Sequence, residues 1–153
     1  MSAALAPAFL VASLLLCVSG AMKLRSLPAL GAGELALGAA CVVDPTRALA
    51  VALALVYAAF AVVAEVFRRR RRACGCFGEN DDFPVTLAHV IASELLGTVV
   101  LAAAIAGPKG LGWAFGQPAP EAAALLIGIT GAVYAVVLVY TVVPRAWGAW
   151  ERA

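Results

Sequence analysis

Residues 48–78 read ALAVALALVYAAFAVVAEVFRRRRRACGCFG, and this stretch decides what kind of molecule the chain builds. The run 48–67 is apolar except for Tyr57 and Glu65, and a helix of about 20 residues crosses the roughly 30 Å hydrocarbon core of a bilayer. Five arginines at 68–72 end it, and the thiol-bearing segment Cys74-Gly75-Cys76-Phe77-Gly78 follows at once. A membrane span, a basic stop and a loop with two cysteines one residue apart are thus written side by side.

Working outward, four more apolar runs appear at 3–22, 27–43, 84–106 and 122–143. The run at 27–43 is the weakest, diluted by Gly31, Gly33, Glu34 and Gly38 and close to the lower length limit for a span. The whole chain is 64% hydrophobic and only 13% charged, with a mean hydropathy of +0.98, against about 25% charged residues in soluble domains. The expectation is an all-α, polytopic membrane helix bundle of four to five transmembrane helices, forming one domain over residues 1–153. Strands are disfavoured, since barrel strands alternate over about 10 residues and these runs do not. A signal peptide at the start is disfavoured because no Lys or Arg precedes the first run. A soluble catalytic domain has no room, no basic aromatic-interleaved surface suggests nucleic acid, and no repeat suggests an inverted-repeat transporter.

Charge placement predicts an orientation. Lys23, Arg25, the arginines at 68–72, Arg145 and Arg152 fall on one side, and Arg47 and Lys109 on the other. By the positive-inside rule the N-terminus is outside and the Cys74/Cys76 loop cytoplasmic, in a membrane that the Ala- and Arg-rich composition suggests is bacterial and plasma.

The paired thiols point to redox chemistry. Positive charge stabilises a thiolate, so Arg71 and Arg72 are expected to lower the pKa of the adjoining cysteines and raise their reactivity. A disulfide needs its Cα atoms within about 7 Å; Gly75 and Gly78 ease the tight turn this demands of Cys-x-Cys. Inside the spans, Glu34, Tyr57, Glu94 and Tyr134 fall near one depth. A carboxylate at the bilayer centre costs roughly 2.5 to 3.5 kcal/mol, so both glutamates are expected to face the bundle interior. Either they form a proton relay or polar cavity with the tyrosines, or they simply hydrogen-bond to them and fix packing. His89, near the cysteine face, either takes a thiol proton or caps a helix; Glu65 is expected to pair with the arginines, and Asp81 or Asp82 to cap the helix that follows.

On these residues the chain resembles the methylamine-utilisation MauE family, in the MauE/DoxX group of redox-associated membrane proteins. The resemblance rests on the Cys74-Gly75-Cys76-Phe77-Gly78 motif, on Lys23-Leu24-Arg25 closing the first run, and on the element from Glu34 to Gly38, extending loosely over residues 10–106. It implies that Cys74 and Cys76 exchange electrons with a thioredoxin-like partner and support disulfide formation or maturation of an exported client. Where the family tends to carry an Arg-Asn pair after the cysteines, this chain has Ala92-Ser93-Glu94, and Glu94 is a candidate to serve in its place.

Two expectations pull against each other, because cytoplasmic cysteines cannot directly oxidise an exported protein. Either electrons are relayed across the membrane or the loop faces outward. Cys17, about 8 Å below the edge of the first run, is a packing residue or an exchange partner for the loop. A quinone is a candidate cofactor. Metal is disfavoured, though Cys74, Cys76 and His89 offer a soft-ion alternative; a non-catalytic assembly subunit is the other. Besides the lipid bilayer and these protein partners, no feature sets an oligomeric state.

Overall fold

A computed structural model describes residues 2–70 and 85–142. Its helices are α1 (Ser2–Lys23), α2 (Pro28–Val43), α3 (Arg47–Arg69), α4 (Leu87–Ala106), the short α5 (Leu111–Phe115) and α6 (Ala119–Thr141), with no strand among the described residues. Four of them, α1, α3, α4 and α6, are long and apolar enough to cross a membrane, while α2 has 16 residues, about 24 Å of helix, and falls short of the core thickness. The protein is an all-α, multi-pass membrane bundle.

Local chemistry sets the helix ends. Pro28 starts α2, where a missing N–H costs nothing. Thr46 caps α3, its hydroxyl accepting from the Leu49 N–H at 3.2 Å. The N-cap of α4 is Thr86, not Asp81 or Asp82, which lie outside the described residues, and the helix begins at Leu87 instead of at Pro84.

Two antiparallel pairs, α1 with α2 and α3 with α4, form most of the bundle, and α1 also meets α4 and α6. Phe9, Leu16, Leu53 and Val100 are wholly or almost wholly buried where α1, α3 and α4 converge. Over its most apolar stretch α1 is 56% buried and α6 only 6%, so α1 is the central post and α6 offers most of its surface to lipid.

The α1–α2 pair is built on missing side chains. A Cβ on Gly20 would lie 2.7 Å from the Gly31 carbonyl oxygen, and one on Gly31 would lie 2.7 Å from the Gly20 carbonyl oxygen. One on Gly38 would strike the Cys17 sulfur and the Ser13 carbonyl oxygen, both at 2.7 Å. Only glycine lets the two backbones meet this closely. Glu34 sits on the same face of α2 as Gly31 and Gly38, so the close approach presses it onto α1.

Candidate functional site

Lys23 on α1 and Glu34 on α2 form an ion pair of 2.6 Å, with side chains only 5% and 3% exposed. Ser19, one turn before Lys23, completes a closed ring. Lys23 Nζ donates to Ser19 Oγ at 2.9 Å and to Glu34 Oε1, and Ser19 Oγ donates to Glu34 Oε2 at 2.9 Å. The ammonium also stands 4.9 Å from the centre of the Phe60 ring, a cation–π contact from α3. A charge pair this deep survives only because both carboxylate oxygens and the ammonium have partners.

Beside the pair lies a cavity of about 40 Å³ between α1, α3, α4 and α6, walled by Ser19, Lys23, Tyr57, His89, Ser93 and Tyr140 among apolar neighbours. That is the size of a few water molecules, in a lining that is mostly apolar. Its α4 wall follows helical spacing, since His89, Ser93 and Leu96 are i, i+4 and i+7. His89 caps its own helix, Nδ1 accepting from the Thr86 N–H at 3.2 Å and lying 2.9 Å from Thr86 Oγ1, which assigns the neutral ring's proton to Nε2. Tyr140 meets the His89 ring edge-on at 4.8 Å, and its hydroxyl lies 3.5 Å from Ser93 Oγ and 3.4 Å from the His89 carbonyl oxygen. Tyr57 is buried and donates to the Ala12 carbonyl oxygen at 2.7 Å, pinning α3 to α1.

The cavity sits at the basic end of the bundle. Lys23 ends α1, Arg68 and Arg69 end α3, and α4 begins two residues before His89. Glu65 binds Arg68 through two bonds of 2.7 and 2.9 Å and Arg69 through one of 2.7 Å, as their i+3 and i+4 spacing leads one to expect.

Of the sequence-derived candidates, Tyr57 and His89 line the cavity and Glu34 lies behind its wall, paired with Lys23 and not with a tyrosine. Glu94 and Tyr134 do not join them. Glu94 is one residue past Ser93, about 100° further round α4, and is exposed in an outer groove against α3. Tyr134 is 65% exposed on α6, six residues from the inward Tyr140 and so on another face. The interior position expected for Glu94 is therefore corrected to an outward one. Cys17 packs against Gly38 away from the cavity wall, and Cys41 is buried with its thiol 3.7 Å from the Leu49 carbonyl oxygen. Arg71, Arg72, Cys74, Gly75, Cys76 and Gly78 lie outside the described residues.

Lys23, Ser19, Ser93 and Tyr140 were missed as site residues. Ser19 and Lys23 carry a legible signal, an i, i+4 polar pair opposite Glu34 across a short turn. Tyr140 carries none, because its inward face depends on how α6 rotates against α1.

Comparison with curated proteins and with solved structures returns no match. The family model described as methylamine utilisation protein MauE matches residues 26–108. That range holds α2 with Glu34, α3, the α3–α4 connection with its cysteines, and α4 with His89, leaving Ser19, Lys23 and Tyr140 outside. With more than half of its 153 residues inside that match, the chain belongs to the MauE family.

Proposed function

We propose that the protein is a membrane thiol/disulfide redox protein whose Cys74-Gly75-Cys76 pair exchanges electrons with a thioredoxin-like partner and supports the maturation of exported proteins. The observation that carries this reading is the position of the cavity bordered by His89, Ser93 and Tyr140, at the end of the bundle where the cysteine-bearing connection leaves α3 at Arg69 and returns at α4. Cys74 is five residues beyond Arg69, a chain reach of at most about 18 Å.

The chemistry is two successive exchanges. A client thiolate attacks one sulfur of the Cys74–Cys76 disulfide, giving a mixed disulfide and releasing the other cysteine as thiolate. The client's second thiolate attacks the mixed disulfide, leaving the client oxidised and Cys74 and Cys76 both reduced. Two electrons have moved to the pair, and the two protons lost by the client thiols must be taken up. The disulfide of a thioredoxin-like partner reoxidises the pair by the same steps in reverse. Tyr140, Ser93 and the His89 ring, the proton-bearing groups on the cavity wall, would serve as the proton store beside this exchange, next to the Lys23–Glu34–Ser19 ring. The positive-inside rule favours a cytoplasmic loop, and with that orientation an outward client requires a relay, whereas the reverse orientation would bring the cysteines to it directly.

The test is trapping in intact cells with a variant that retains only Cys74 and Cys76. Acid quenching and alkylation should show a disulfide that mild reductant opens, and Cys76→Ser should accumulate a mixed disulfide with a thioredoxin-fold protein. A membrane-impermeant maleimide read before and after reduction reports the side of the membrane. If the pair is always reduced and its double serine variant still matures the cell's exported disulfide proteins, the redox reading fails.

A further inference from the structure

Two polar side chains on the outer surface have no partner among the described residues. Glu94 is exposed in the groove between α3 and α4, and Tyr134 is 65% exposed on α6. Among the described residues no hydrogen bond or ion pair reaches the carboxylate of the one or the hydroxyl of the other. Both lie well inside the span. Glu94 is seven residues from the start of α4 and Tyr134 seven before the end of α6, each about 10 Å in from the basic end. Packing agrees with this depth, since Leu96 borders Val136 in the cavity and Ile129 and Ala132 outside it, residues that bracket Tyr134.

A carboxylate facing hydrocarbon costs roughly 2.5 to 3.5 kcal/mol. Each group holds what the other lacks, the phenol a donor and the carboxylate two acceptors. Within one chain they cannot meet, because α6 packs on α1 while the groove opens between α3 and α4. The surfaces around them also match. The groove, about 430 Å³, is floored by Ala54, Ala58, Ala61 and Gly97, and α6 presents Gly131, three residues before Tyr134, with open space where a Cβ would stand. Small residues on both sides let two helix backbones approach.

We propose that copies of this chain associate side by side in the bilayer, α6 of one seated in the α3–α4 groove of the next, with the Tyr134 hydroxyl donating to Glu94. The two contacting surfaces differ, so the contact is heterologous and repeats from copy to copy. Every copy has the same orientation across the membrane, so the repeat runs in the membrane plane and closes into a ring where the rotation allows.

Thr98 and Thr130 provide the test. They are exposed and lie one turn from Glu94 and Tyr134, both away from the basic end, so the proposed contact brings them together. In native membranes carrying the full chain, Thr98→Cys with Thr130→Cys should give a ladder of oxidatively linked dimers and higher species. The ladder should also form when the two cysteines are on separately tagged, co-expressed chains, and should be absent from each single variant. Glu94→Leu should lower the linked yield about threefold to thirtyfold, the range of one interhelical hydrogen bond, and Glu94→Gln should retain most of it. Photobleaching of the wild-type chain in vesicles should count several copies per complex, and of Glu94→Leu mostly one. Linking by Thr98→Cys alone would mean a two-fold α4 contact, and linking only to other proteins would mean a foreign helix fills the groove. Either result, or single copies in the wild type, overturns the proposal.

Discussion

The two helix pairs of the bundle each carry a glutamate in the membrane and treat it in opposite ways. In α1–α2 the backbones touch through Gly20 and Gly31, and Glu34 is sealed at 3% exposure with every carboxylate oxygen matched by Lys23 or Ser19. In α3–α4 the helices pack along their length, yet the outer groove stays open and Glu94 faces out of it. The lesson is that a membrane carboxylate has two stable solutions, internal pairing or an external partner. Which one applies depends on a rotation of about 100° around a helix, as the neighbours Ser93 and Glu94 show.

The largest effect should come from breaking the sealed pair one side at a time. Lys23→Met leaves Glu34 buried without its cation and should cost about 3 to 5 kcal/mol, measured by detergent-titrated unfolding followed by helical circular dichroism. Adding Glu34→Leu should recover most of the loss, because an apolar pair of similar volume is often as stable as a buried ion pair. A double variant as unstable as the single one would show that the ring does not hold α1 to α2.

Next in size is the glycine seam. Gly31→Ala drives a Cβ to 2.7 Å from a backbone oxygen and should cost about 1 to 3 kcal/mol, with Glu34 displaced from Lys23. Gly33→Ala, on the same helix with nothing within 4 Å of its Cβ, should be neutral or gain up to about 1 kcal/mol from helix propensity. Tyr57→Phe removes one bond to the Ala12 carbonyl oxygen and should cost about 1 kcal/mol, leaving the ring packed edge-on against Phe60.

The bundle was legible in the sequence because a continuous apolar run near 20 residues has few folds open to it in a bilayer. The apolar run of α3 gives way to arginine at Arg68, as its sequence shows, and Glu65 pairs with that run as its spacing implies. The candidate site was legible only by depth. Glu34, Tyr57 and His89 were found as polar groups in or near apolar spans, and two of them line the cavity. Depth along a helix says nothing of rotation around it, which is why Glu94 and Tyr134 read like their inward counterparts and are not. Lys23 was hidden differently, since a lysine at the end of a span reads as a topology marker, and only the turn of α2 back onto α1 brings Glu34 to it.

The smallest expected effect is the sharpest test of the comparison. Glu94→Leu in the isolated chain, in detergent dilute enough to keep copies apart, should change unfolding stability by no more than about 0.5 kcal/mol, as for a surface substitution that touches no internal partner. The same unfolding measurement on Glu34→Leu alone should show a loss of several kcal/mol, because Lys23 is then the buried charge without a partner. If the two losses were equal, Glu94 would have an internal partner after all, and the contrast between a sealed pair and an open one would not hold. A near-zero loss for Glu94 in detergent, combined with weaker association in the bilayer, is the result that only an external partner produces.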